Sequence, residues 1–162
     1  MQEKGIASIK LYHQVQRVFN ELETLGLGPG DPIKVEQLTP FDQYHYLGTE
    51  AVDEATRGLD IVESMRVLEV GGGIGGPARH LAHTTGCHMT VMELQLELND
   101  TARELTRRCG LAEKIDHVCG DILKGPPGDA QFDALVSWLT FLHIPQRETL
   151  YAQCYKALAP GA

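Results

Sequence analysis

Basic residues are scarce in this chain. Lys and Arg number 14 against 22 Asp and Glu, a formal net charge of −8 over 162 residues. The longest basic run is Arg107-Arg108. Nucleic acids and anionic membrane surfaces both require clustered cations, so neither is an expected partner. Cysteines are also few. Cys87, Cys109, Cys119 and Cys154 form no CxxC pair, which argues against a zinc site or a redox dithiol and leaves free thiols in or near a core as the expectation. His13, His80, His83, His88 and His117 have no spacing that suggests a metal. No stretch of about 18 consecutive apolar residues occurs, so no membrane-spanning helix is expected. The first residues, Met1-Gln2-Glu3-Lys4, carry no apolar signal core, which makes the cytoplasm the default compartment. What the chain does have is 43% hydrophobic and 22% charged residues, the values of a folded domain of ordinary size.

Hydrophobic periodicity divides the chain into two parts. Over residues 6–25, Leu11, Val15, Val18, Leu22 and Leu25 recur at helical spacing. Gly26 and Gly28-Pro29-Gly30 end that helix. Residues 31–48 read as an irregular aromatic loop containing Phe41, Tyr44, His45 and Tyr46, the kind of segment that often holds a ligand. A helix is predicted from Thr49 to about Leu59, with Thr49 as its N-cap. From Arg66 strands and helices alternate. Strands are predicted at 66–70, 88–92 and 115–119 and within 132–138, and helices at 75–85, 96–109 and 145–158. This alternation predicts an α/β fold with a parallel sheet. The expected organisation is a helical cap or lid over residues 1–60 and a nucleotide-binding core over 61–162.

The informative stretch runs from Val67 to Gly76, a strand followed by Gly71-Gly72-Gly73-Ile74-Gly75-Gly76 and then a helix. Glycines there let a ligand lie against bare backbone. Gly71, Gly73 and Gly76 satisfy the dinucleotide pattern G-x-G-x-x-G. Glu69, Gly71, Gly73 and Gly75 equally satisfy an acidic-x-G-x-G-x-G form. Charge separates the two patterns. A dinucleotide brings an anionic pyrophosphate to this turn, which a carboxylate at Glu69 opposes, whereas a cationic ligand suits it. Glu93 lies 22 positions after Gly71 and can accept both hydroxyls of a ribose.

The acidic-x-G-x-G-x-G turn resembles motif I of the class I S-adenosylmethionine (SAM) methyltransferases. Gly120-Asp121-Ile122, Gln131-Phe132-Asp133-Ala134-Leu135-Val136-Ser137 and Leu158-Ala159-Pro160-Gly161-Ala162 resemble that family's later segments in order and spacing. Ala159 and Ala162 depart from its usual L-K-P-G-G turn. Gly75 to Ala82, taken with Tyr44 to Gly48, resembles the small-molecule members that act on amines, phosphobases and natural products.

The resemblance implies a Rossmann-like, doubly wound, mainly parallel sheet. It also implies transfer of a methyl group from SAM, leaving S-adenosylhomocysteine, to an N, O or C atom of a small acceptor. Glu69, Gly71, Gly72, Gly73, Gly75, Glu93, Leu94, Asp121, Ile122 and Ser137 would bind the cofactor. Trp138, His143 and Tyr46 would meet the acceptor, with His143, Tyr44 and His45 as catalytic candidates. The family's sheet runs 3-2-1-4-5-7-6, so strands five to seven are expected to be missing here. Strand four would then be an open apolar edge suited to a second copy or another chain. Two other readings stand beside this one, a non-catalytic SAM-binding or interaction module and an NAD-dependent oxidoreductase.

Overall fold

In the computed structural model, which describes residues 15–129 and 131–162, four strands form one sheet in the order β3-β2-β1-β4. The strands are β1 (Arg66–Val70), β2 (His88–Glu93), β3 (Ile115–Cys119) and β4 (Ala134–Val136), and every pairing is parallel. The central strand β1 is buried at Val67, Leu68, Glu69 and Val70, as expected for a strand covered on both faces. Among the described residues six helices accompany the sheet: α1 (Val15–Thr24), α2 (Val35–Asp42), α3 (Gly48–Gly58), α4 (Gly76–Thr85), α5 (Leu96–Arg108) and α6 (Arg147–Ala157). Single 3-10 turns occur at Ile122–Lys124 and Phe141–His143.

Three apolar clusters hold these layers together. Val52 of α3, Ala78 and Leu81 of α4, and Val67, Met89 and Val91 of the sheet form one. On the other face Leu68 and Val70 meet Phe132, Leu150, Cys154 and Ala157. The third joins Val18, Leu22 and Leu38 of the first two helices to Ile74 of the glycine loop and to Leu98 and Leu105 of α5. The N-terminal helices therefore share one core with the glycine loop.

Several expectations are revised. The segment 31–48 is not wholly irregular, because α2 occupies 35–42 with Pro40 inside it. Pro40 lacks the N–H that would bond the Glu36 carbonyl. The Thr39 hydroxyl donates to that carbonyl instead, at 3.2 Å. Helix α3 starts one residue before Thr49, and its cap position is Leu47, held at φ 65°. The α1 stripe stops short of its last member, as Leu25 is 52% exposed. Leu11 and His13 lie outside the described residues. Cys87 and Cys154 are buried thiols, but Cys119 is exposed at the end of β3. β4 pairs along its length with β1 alone among the described residues, yet its approach is partly covered. Phe132 forms a parallel bridge to Leu158 just after α6, donating its N–H to the Ala157 carbonyl and accepting from Ala159.

Candidate functional site

A cavity of about 440 Å³ opens over the carboxyl ends of β1, β2 and β4, where ligands bind in open parallel sheets. Its floor is the Gly71–Ile74 turn. One wall is Glu93-Leu94-Gln95 with Asp121 and Ile122, and the other is Trp138-Leu139-Thr140 with His143. Tyr44 and His45 close it from the N-terminal side.

The turn is shaped by what presses on it. Gly71 has φ 75°, and a Cβ there would lie 2.2 Å from Thr140 Cγ2. Only glycine meets both the left-handed backbone and that contact. The Thr140 hydroxyl donates to the Gly71 carbonyl at 3.1 Å, and the Gly71 N–H donates to the Met92 carbonyl at 2.7 Å. Gly73, with φ 55°, faces open space apart from the Tyr44 ring, which is 4.0 Å from where a Cβ would be. A ligand can thus reach bare backbone at Gly73.

Glu93 closes the turn. Its Oε2 accepts the Gly73 N–H and its Oε1 the Gln95 N–H, both at 2.9 Å. Burial pushes its carboxyl above the usual range, and those amides pull it back. A carboxylate has about four acceptor positions, so two remain for hydroxyls in the cavity. Asp121 Oδ1 accepts the Leu123 N–H at 3.0 Å, which fixes the side chain beside buried Ile122.

Glu69 differs from both. It is 1% exposed, and neither carboxylate oxygen makes a well-formed hydrogen bond, the Ala78 N–H alone coming near. Burial pushes its carboxyl up to about 8, with Glu93 adding to the effect and the Arg79 guanidinium opposing it. Arg79 is fully buried beneath the turn. It donates to the Ile74 carbonyl at 2.7 Å and to Asp42 Oδ2 at 2.9 Å. Behind it, burial and the nearby Arg79 and Arg103 hold His117 down at about 4.

These two shifted groups make stability depend on pH. Glu69 keeps its proton in the fold from its ordinary 4.5 to about 8, so its contribution falls as pH rises through that window. His117 stays neutral in the fold between about 4 and its ordinary 6.5, so its contribution rises with pH there. The two oppose each other below pH 6.5, and above it only Glu69 acts. The expected result is a melting temperature nearly level from pH 5 to 6.5 that drops by pH 8, a drop absent in Glu69→Gln. Thermal melts of both proteins at the three pH values check this.

On the acceptor side the His45 and Trp138 rings stack with centroids 5.1 Å apart. His45 Nε2 meets Gln43 Oε1 at 3.1 Å, and the Gln43 amide donates to Asp42 Oδ1 at 2.8 Å. This chain of contacts ties the aromatic lid to the buried ion pair. Burial also raises the Tyr44 phenol, which keeps it a neutral hydroxyl.

The fold thus gathers most of the residues singled out from the sequence onto one cavity: Glu69, Gly71, Gly72, Gly73, Glu93, Leu94, Asp121, Ile122, Tyr44, His45, Trp138 and His143. Three lie off its wall. Gly75 is the left-handed cap of α4, packed under Arg79 and His117. The Ser137 hydroxyl donates to the Val70 carbonyl at 2.8 Å and so joins β4 to β1. Tyr46 points to solvent, 79% exposed. Sequence reasoning missed Asp42, Arg79 and Thr140. The signal for the pair was an arginine between Ala78 and Leu81 on the buried face of a helix, a position that needs a buried acid. Nothing local marked Thr140. No group of three or more potential metal ligands occurs among the described residues.

Comparison with known proteins adds the family context. Residues 67–161 match the family model described as a methyltransferase domain. A sterol 24-C-methyltransferase of Gibberella zeae is 35% identical over 64% of this chain and 27% of its own length. A glycine/sarcosine/dimethylglycine N-methyltransferase of Actinopolyspora halophila is 34% identical over 75% of this chain and 22% of its own. The chain therefore spans about a quarter of the length of these curated relatives. Among solved structures, a SAM-dependent methyltransferase from Thiobacillus denitrificans, crystallised with S-adenosyl-L-homocysteine, superposes with a TM-score of 0.65 at 19% identity. The match covers 82% of this chain and 54% of that one.

Proposed function

The chain belongs to the class I SAM-dependent methyltransferases, and from that membership we propose that its cavity binds SAM and serves methyl transfer to a small-molecule acceptor. The observation that carries this reading is the buried carboxyl of Glu69, without a well-formed hydrogen bond, under a glycine turn that leaves backbone open at Gly73. That floor can give up a proton and take on negative charge toward a nucleoside bearing positive charge, and it offers a pyrophosphate no cation, which supports SAM over NAD.

SAM, when bound, supplies a methyl group already activated on a sulfonium. The chain's own residues supply binding, alignment and exclusion of water. The open acceptor positions of Glu93 suit the two ribose hydroxyls. Asp121 Oδ2 can accept from an adenine amino group while Ile122 and Leu94 cover the ring. Glu69 provides negative charge toward the amino-acid end. The His45–Trp138 stack forms an apolar wall against water. His143 is the group suited to take a proton from an N–H or O–H acceptor. Residues 1–60 act in this reading as a cap that completes the cavity through Asp42, Tyr44 and His45.

A melting scan with ligands tests the cofactor. SAM or S-adenosylhomocysteine at about 100 times Kd stabilises by about 2.7 kcal/mol, a rise of several degrees in Tm, and NAD gives none. A rise with NAD and none with SAM overturns the proposal. Transfer of labelled methyl from SAM across a panel of small amines and phenols then tests turnover.

A further inference from the structure

The charges under the cavity floor do not balance. Asp42 of α2, Glu69 of β1, Arg79 of α4 and Glu93 of β2 are 1%, 1%, 0% and 7% exposed. That is three acids around one cation. The charge of Arg79 is engaged by Asp42 at 2.9 Å. Glu93 is met by the N–H groups of Gly73 and Gln95. Glu69 makes no well-formed hydrogen bond at either oxygen, and only the Ala78 N–H approaches it. On the β3 side, His117 faces Arg79 but stays neutral near pH 7. Lys124, the other basic side chain on the cavity wall, is exposed to solvent. A fully buried carboxylate with so little to hold its charge is costly, so the site favours either a proton or a further cation at Glu69.

We propose that Glu69 holds a proton in the ligand-free protein and releases it to solvent when a cationic cofactor enters, so that cation and proton exchange one for one. The inference rests on the reading of the cavity as a SAM site. It extends that reading by making recognition depend on the charge of the ligand rather than on its nucleoside alone. The carboxyl O–H bond breaks, the proton passes to water or buffer, and the carboxylate then faces the ligand's positive end. Arg79 and Asp42 are positioning residues in this exchange. They hold the Ile74 carbonyl and the end of α2, and the hydrogen bonds of Arg79 go to Ile74, Ala102 and Asp42 while its charge still acts on Glu69.

Titration calorimetry at pH 6.5 in two buffers of different ionisation heat counts the protons. SAM is expected to release about one proton per molecule bound, and 5′-methylthioadenosine, which lacks the amino-acid end and the sulfonium, about none. From pH 5.5 to 7, below the titration of the ligand's own amino group near about 8, SAM affinity should rise about tenfold per pH unit while methylthioadenosine affinity stays level. Glu69→Gln should remove both the proton release and the slope. His45 and His143 line the cavity wall as well. Equal proton release with the two ligands, or a Glu69→Gln protein that releases as many protons as the parent, overturns the exchange. The first comparison needs no variant, so it decides the matter even if Glu69→Gln fails to fold. Failure of SAM to bind the parent protein at any pH overturns the cofactor reading instead.

Discussion

Arg79→Met is expected to lower the unfolding free energy by about 3–5 kcal/mol and the melting temperature by roughly 10 °C. The guanidinium is fully buried and donates to the Ile74 carbonyl at 2.7 Å, the Ala102 carbonyl at 3.5 Å and Asp42 at 2.9 Å. Methionine fills much of the volume but strands the Asp42 carboxylate, itself 1% exposed, without its cation. The greater part of the cost comes from that stranded charge. The Asp42→Asn/Arg79→Met double variant should therefore be more stable than Arg79→Met alone. Urea melts of the three proteins test this, and a double variant no better than the single one would mean that the pair is not the source of the loss. The same substitution should weaken cofactor binding, because Ile74 on the cavity wall loses its anchor.

Glu93→Ala is expected to weaken S-adenosylhomocysteine binding by at least 100-fold. One carboxylate does two things here. It accepts the N–H groups of Gly73 and Gln95, both at 2.9 Å, and it offers its remaining acceptor positions to the cavity. Hydrogen bonds to a charged group contribute about 1.5–3 kcal/mol each, so losing the contacts to a ligand alone accounts for a factor of that size. Glu93→Gln retains one acceptor oxygen but sets an NH2 against one of the two amides, and it should fall between parent and alanine. Trp138 is the single tryptophan of the chain and lines the cavity, so intrinsic fluorescence reads the titration directly. An unchanged Kd in Glu93→Ala would remove Glu93 from the binding site.

The strands were the most legible part of the fold. β1 and β3 occupy the stretches expected for them, Arg66–Val70 and Ile115–Cys119, because glycines or polar turns bound each one. Helix α2 was hidden by Pro40 and by the aromatic density around it. It forms because the Thr39 hydroxyl satisfies the carbonyl that proline leaves open and because Leu38 is buried against Ile74 and Leu98. Neither cause lies in local periodicity. The cap of α3 was misread for a similar reason. Leu47 takes φ 65° while 74% exposed, so no local pattern marks it as the cap, and propensity alone would have chosen Thr49.

The sequence by itself determined the family, the order of elements and the carboxylates at the ends of β1 and β2. These depend on short-range pattern, in which alternation places strands and glycines mark the turn between a strand and its helix. Only the tertiary structure decided how those carboxylates differ. Glu93 receives two well-formed bonds from backbone amides, whereas Glu69 has only the Ala78 N–H near it and lies beside a guanidinium already engaged by Asp42. The ionisation of a buried group is set by its neighbours in space. Those neighbours come from α2, α4 and β2, brought together by packing across 51 positions from Asp42 to Glu93.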